Sequence, residues 1–91
     1  MEKYKIMECL EKLTVSEYRI IIKAIPKLIG RSNNTFWNYT KIDINSKMDI
    51  PYIVVVKLER LFKLEPGELI NVSIDNNSID EIILEHWRQR Q

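Results

Sequence analysis

The sequence predicts an all-α protein: a small bundle of four to five helices followed by a C-terminal helix, with one short extended segment allowed. Three observations predict it. Apolar residues recur at three- and four-residue spacing along most of the chain. Two Ser/Thr-x-x-Glu capping boxes, at Thr14 and Ser78, mark helix starts. The length of 91 residues with 45% apolar content suits one domain with a real but thin core, which makes dimerisation a reasonable expectation.

In chain order, Ile6, Cys9, Leu10 and Leu13 give a first amphipathic helix over Glu2 to Leu13. Thr14-Val15-Ser16-Glu17 has capping-box form, with Leu13 and Tyr18 at the spacing of a hydrophobic staple, so a second helix starts near Val15. It runs through Ile20, Ile21, Ala24, Ile25 and Leu28 to Gly30, a residue suited to a left-handed helix end. Pro26 lacks an amide proton and is expected to kink or restart this helix. A strand through Ile20-Ile21-Ile22 is the lesser alternative. Ser32 is an N-cap for a third helix. At about 100° per residue, Asn33, Asn34, Trp37, Asn38 and Lys41 share an arc of about 140°, while Phe36 and Tyr39 point into the core.

The segment Lys41 to Ile50 reads as a loop whose Ile side chains plug the core, since Asn45-Ser46 is a weak hairpin turn. Pro51 opens a fourth helix with Ile53, Val54, Leu58, Leu61 and Phe62 at helical spacing. Glu65 to Ile70 reads as a short helix with Pro66 in its first turn. Alternation of Ile70, Val72 and Ile74 with Asn71 and Ser73 allows the extended segment. Asp75-Asn76-Asn77 is turn-rich. The last helix starts at the Ser78 box and carries Ile79, Ile82, Ile83, His86 and Trp87 on one stripe. The chain therefore divides into a domain over residues 1–74 and a C-terminal helix over 75–91.

The formal net charge of +1 conceals an uneven distribution. Residues 1–18 carry three Lys against four Glu, residues 19–63 nine basic against three acidic, and residues 64–91 two basic against six acidic. The middle of the chain favours a polyanion and the tail does not, unless the cations merely solvate outer helix faces. A single cysteine, Cys9, excludes an internal disulfide, and one histidine, His86, supplies no zinc set. No apolar run reaches the roughly 18–20 residues of a membrane span, and the N-terminus alternates charges, so the expected location is the cytoplasm. In that compartment the sequons at Asn33, Asn38, Asn71 and Asn76 have no glycosylation role. The acidic cluster Asp75 to Glu81 lacks the Gly and terminal Glu of a calcium loop and suits helix capping instead.

Catalysis is not expected. There is no nucleophile with a partner base, no Gly-rich phosphate loop, no paired Cys and no His-Glu-x-x-His, and neither a cofactor, a metal nor a small-molecule ligand is implied. The informative stretch is Ile29 to Tyr39: a helix, a Gly turn and a Ser-capped, amide-rich helix together make a helix-turn-helix.

Here the chain resembles the phage repressor and Cro (XRE-like) family. The family's hydrophobic-Gly-x-Ser-x-x-Thr-hydrophobic-x-x-hydrophobic pattern is met by Ile29, Gly30, Ser32, Thr35, Phe36 and Tyr39. Downstream, Ile50-Pro51 to Leu64 resembles its fourth helix and Glu65 to Ile70 its fifth, so the likeness covers residues 15–70. It implies a lambda-repressor-like fold, base-reading positions at Asn33, Asn34 and Asn38, and a cap at Ser32. A carboxamide can bond adenine N6 and N7 together, which points to A·T-containing half-sites. Trp37, between them, is placed to touch a thymine methyl or the sugar-phosphate edge, with burial at a subunit interface as the alternative.

Two positions depart from the family. Ile22 stands where a polar phosphate ligand is usual, and Pro26 where a small residue packs against the third helix. Lys23, Lys27, Arg31, Lys41 and Lys47 can replace the missing clamp, with Ser32 and Thr35 beside them, since phosphate contacts need only positive charge or a donor in reach. The expectation is a regulator, a homodimer on an inverted repeat, with Ile79, Ile82, Ile83, His86 and Trp87 of the tail helix as dimer contacts. The alternative is a protein-interaction module, such as an antitoxin or phage accessory factor, that keeps the helix-turn-helix shape.

Overall fold

The computed structural model describes residues 1–73 and 76–90. The described residues form an all-α fold with five helices: α1 (Ile6–Glu11), α2 (Val15–Ile29), α3 (Asn33–Thr40), α4 (Tyr52–Leu61) and α5 (Ile79–Gln89).

Local chemistry sets each boundary. Thr14 caps α2 with a complete box: the Glu17 N–H donates to Thr14 Oγ1 (3.2 Å) and the Thr14 N–H donates to Glu17 Oε1 (2.9 Å). At the other end Gly30 takes φ 70°; its N–H donates to the Lys27 carbonyl and the Arg31 N–H to the Pro26 carbonyl, the paired bonds of a Schellman stop. The helix does not restart at Pro26: α2 runs as one helix through it. Pro26 costs the bond its missing N–H would make, and burial of Ile25 and Ile29 on either side holds the chain helical.

The core gathers Ile6 and Leu10 from α1, Ile25 and Ile29 from α2, Phe36 from α3, Val54 and Leu58 from α4, with Tyr4, Ile42, Ile50 and Leu69 between helices. The loop after α3 plugs this core with Ile42 and Ile50, as its composition predicts.

Two further expectations are corrected. The first helix does not begin at Glu2: residues 2–4 run extended, with antiparallel bridges Glu2↔Asp43 and Tyr4↔Ile70. Backbone bonds from Lys3 N to the Ile42 carbonyl, Lys5 N to the Leu69 carbonyl and Asn71 N to the Lys3 carbonyl (each 2.8 Å) offered this stretch more than a helical turn would. The extended segment expected after Ile70 has its pairing here, while Ile74 lies outside the described residues. Glu65 to Ile70 is not a helix but a turn. Gly67 at φ 89° breaks the helical path, and the buried Glu59 carboxylate accepts from the N–H groups of Gly67 (2.8 Å) and Leu69 (3.2 Å), satisfying donors a helix would have used.

α5 contributes no residue to this core. Ser78 caps α5, its Oγ accepting from the Glu81 N–H at 3.2 Å, but the Glu81 side chain does not return the bond that would complete the expected box, and every described residue of α5 is exposed. The Cα radius of gyration is 17.5 Å and the long axis 64 Å against 24 and 23 Å across, where a compact chain of this length has a radius of about 12 Å. The boundary expected at 74/75 lies outside the described residues.

Candidate nucleic-acid interface

The presented face of α3 follows from what the helix buries. Phe36 is fully buried and Thr40 nearly so, and the Thr40 hydroxyl donates to the Trp37 carbonyl at 2.6 Å. Asn34 and Asn38 stand about 160–200° around the helix from Phe36 and are exposed, with Lys41 continuing the same stripe past the helix end. A helix anchored by an aromatic on one side thus offers carboxamides and a cation on the other. Asn33 is exposed in the first turn, at the edge of this face. Ser32 fixes the start of the helix: its Oγ accepts from the Thr35 N–H (3.1 Å) and donates to Thr35 Oγ1 (2.9 Å). Both hydroxyls are therefore engaged in the cap, which leaves acceptor capacity but no free Ser32 proton for a phosphate.

Trp37 is less available than its position among the asparagines suggests. It is half-buried against the core, with its ring centroid 5.2 Å from that of Phe36 at 57°. It forms one shoulder of the face and stiffens α3 rather than projecting from it. Tyr39, expected in the core, is half-buried against it.

Basic residues surround this helix in sequence. Lys23 and Lys27 share an exposed stripe of α2 with Arg19, one turn apart and on the side opposite buried Ile25 and Ile29. Arg31 is exposed at the turn and donates to the Gly30 carbonyl at 3.1 Å. Lys41 and Lys47 are exposed after α3. None of these six cations takes part in an ion pair among the described residues. Ile22, which the sequence sets where a polar residue was expected, is half-buried against the core, and the exposed polar groups on that side of α2 are those of its basic stripe.

Two features were not read from the sequence. Lys3 is nearly buried, and its ammonium donates to the carbonyls of Ser46 and Met48 (2.9 Å each) and pairs with Asp49 at 2.6 Å, tying the loop after α3 to the N-terminus. An apolar cavity of about 730 Å³ opens beside α4, lined by Tyr52, Val55, Val56, Leu64, Pro66 and Ile70 among others. No sequence signal marks it, because its lining is gathered from Tyr4, the loop before α4, α4 itself and the turn after it.

For reaction chemistry the described residues offer little. Burial pushes the Cys9 thiol up from its ordinary value, against the pull of Lys12 and Lys5, which disfavours a nucleophilic thiolate. His86 is exposed on α5. No group of three or more His, Cys, Asp or Glu placed to hold a metal ion occurs among the described residues, and no helix is long and apolar enough to cross a membrane.

No family model, curated protein or solved structure matches the chain.

Proposed function

We propose that the protein binds double-stranded DNA in a sequence-specific way and regulates transcription as a homodimer, reading bases in the major groove with α3. The observation that carries the reading is the exposed carboxamide stripe Asn34–Asn38, held opposite buried Phe36 on a helix whose start is fixed by the Gly30 turn and the Ser32 cap. Each carboxamide can donate to adenine N7 and accept from N6, for about 1–3 kcal/mol of discrimination against a wrong base. Lys23, Lys27, Arg31, Lys41 and Lys47 supply sequence-independent attraction to phosphates. Two copies on an inverted repeat place their α3 helices about 34 Å apart. The resemblance of Ile29 to Tyr39 to the phage repressor and Cro family points the same way, and the mechanism is occupancy of an operator.

Selection from randomised duplexes tests it, with Asn34→Ala/Asn38→Ala as control. A palindromic, A·T-containing motif lost by the variant is the expected result; low-salt binding without a motif contradicts it.

A second reading, a protein-interaction module on the same shape, is favoured by Ile20 and Leu28, which stay exposed on α2 near its lysine stripe, an unusual flank for a phosphate-facing surface. A protein-binding face would ignore the two Asn substitutions.

A further inference from the structure

Glu59 is a buried carboxylate without a counter-ion. It is 6% exposed and forms no ion pair among the described residues. The two N–H groups that reach it, from Gly67 and Leu69, both donate to Oε2, and Oε1 accepts from no described residue. Nor is Oε1 sealed inside the protein, because no fully buried side-chain oxygen among the described residues lacks a partner. The opening that Glu59 lines is the cavity beside α4.

We infer that this cavity binds a small apolar monocation: a primary alkyl- or arylammonium whose N–H donates to Glu59 Oε1, with its hydrocarbon body against Tyr52, Val55, Val56 and Ile70. Charges taken out of water are ordinarily paired, and an ammonium supplies both the missing counter-charge and the missing donor.

The surroundings favour a cation over an anion. Asp49, the other carboxylate of the lining, has its partner in Lys3. Glu65 and Glu68 stand exposed on either side of the Pro66-Gly67 edge. Glu59 also sits in the last turn of α4, where the helix end adds a partial negative charge. Arg60 is the one cation of the lining. It stands about 100° from Glu59 around the helix, is exposed to water and does not pair with Glu59, so it leaves the buried charge uncompensated. The rings of Tyr4 and Tyr52 wall the same space, and an aromatic face attracts a cation.

Size and composition suit a small molecule. The volume of about 730 Å³ falls within the roughly 300–1,000 Å³ of ligand sites, which pair apolar walls with a few polar groups that fix orientation. No residue of α3 lines the cavity, so this site is separate from the carboxamide face and goes beyond the proposed function.

The test is an NMR titration of the full chain at pH 7 without DNA, following Tyr4, Val55, Val56 and Ile70. The probes are phenethylammonium, the neutral 2-phenylethanol and the anionic phenylacetate. The expected result is that phenethylammonium shifts these signals and binds at least about tenfold more tightly than either of the others, as a charge-assisted bond to a carboxylate implies. Glu59→Gln, which keeps an acceptor for Gly67 and Leu69, should bind the ammonium no better than the alcohol. Tyr52→Lys, at a rim position 82% exposed, should weaken the ammonium more than the alcohol by placing a like charge beside it. Circular dichroism checks that both variants remain helical, and Tyr52→Lys decides the matter if Glu59→Gln does not fold.

No shift with millimolar phenethylammonium, equal affinity for the alcohol, or ammonium binding indifferent to Tyr52→Lys would overturn the proposal. Because no DNA is present, each outcome stands apart from the fate of the DNA-binding reading.

Discussion

The Lys3 ammonium sits 2.6 Å from the Asp49 carboxylate and donates to the carbonyls of Ser46 and Met48, with only 10% of its side chain exposed. One buried cation therefore gathers the loop that leads from α3 to α4, and the position of α3 depends on that loop. Asp49 is 67% exposed, so the pair itself contributes little, and the weight falls on the carbonyl bonds. Lys3→Met should lower stability by about 1–3 kcal/mol, the cost of leaving partly buried acceptors unpaired, read as a shift in denaturant midpoint. Asp49→Asn should cost less than half as much.

Glu59 holds the turn after α4 in the same manner. Its buried carboxylate accepts from Gly67 and Leu69, and charge-assisted bonds of this kind contribute about 1.5–3 kcal/mol. Glu59→Ala should destabilise by at least that amount in urea unfolding. Glu59→Gln, which keeps one acceptor oxygen, should recover part of it.

The ends of α2 and α4 make a matched pair. Gly30 at φ 70° and Lys63 at φ 59° both close their helices in the left-handed region, where a side chain costs about 1–2 kcal/mol. An added Cβ at Gly30 meets nothing within 4 Å, so Gly30→Ala isolates the backbone strain and should lower stability by about 1 kcal/mol. Lys63→Gly should raise it by a similar amount. Thermal melts of the two variants should move in opposite directions.

Acid should loosen the start of α2. The bond accepted from the Thr14 N–H, with that from the Thr14 hydroxyl, holds the Glu17 carboxyl below the ordinary carboxylate value. A lowered folded value means that the contribution is fully present above the unfolded value and is lost as pH falls through the folded one. Glu17→Gln should remove that part of the acid dependence, seen in amide exchange of the first turn of α2 as pH falls below the ordinary carboxylate value.

Salt should separate phosphate contacts from base contacts. If the cations of α2 and the turn meet the backbone, log K for duplex DNA should fall with log salt by about 0.9 per contact. Lys27→Ala should then reduce that slope by about one unit per protomer engaged while leaving the preferred sequence unchanged.

Much of the bundle was legible because it rests on local signals. Thr14-x-x-Glu17, Gly30, Ser32 and Pro51 act within a turn of where they stand, and they fix the starts of α2, α3 and α4 and the end of α2. The exposed face of α3 was legible for the same reason, since period alone puts Asn34 and Asn38 opposite Phe36. What was missed depends on partners distant in sequence. Tyr4 leaves the helix its neighbours suggest because Ile70 pairs with it and its hydroxyl accepts from the Ile50 N–H at 3.0 Å. Glu59 reaches eight and ten residues ahead to refold a segment that reads as helical. Pro26 shows the converse, a local breaker overridden by the core contacts of Ile25 and Ile29. The half-burial of Trp37 was also out of reach, since the period fixes its direction but not the height of its neighbours.

The most direct test of the central claim compares affinity for a selected duplex with affinity for an unrelated one, at one salt concentration, for the full chain and for Asn34→Ala/Asn38→Ala. Base reading by α3 predicts that the ratio falls by about 30-fold or more, from two bidentate contacts at 1–3 kcal/mol each, while helicity and binding to the unrelated duplex stay as they were. An unchanged ratio in a folded variant, or a full chain that prefers no sequence, would contradict it.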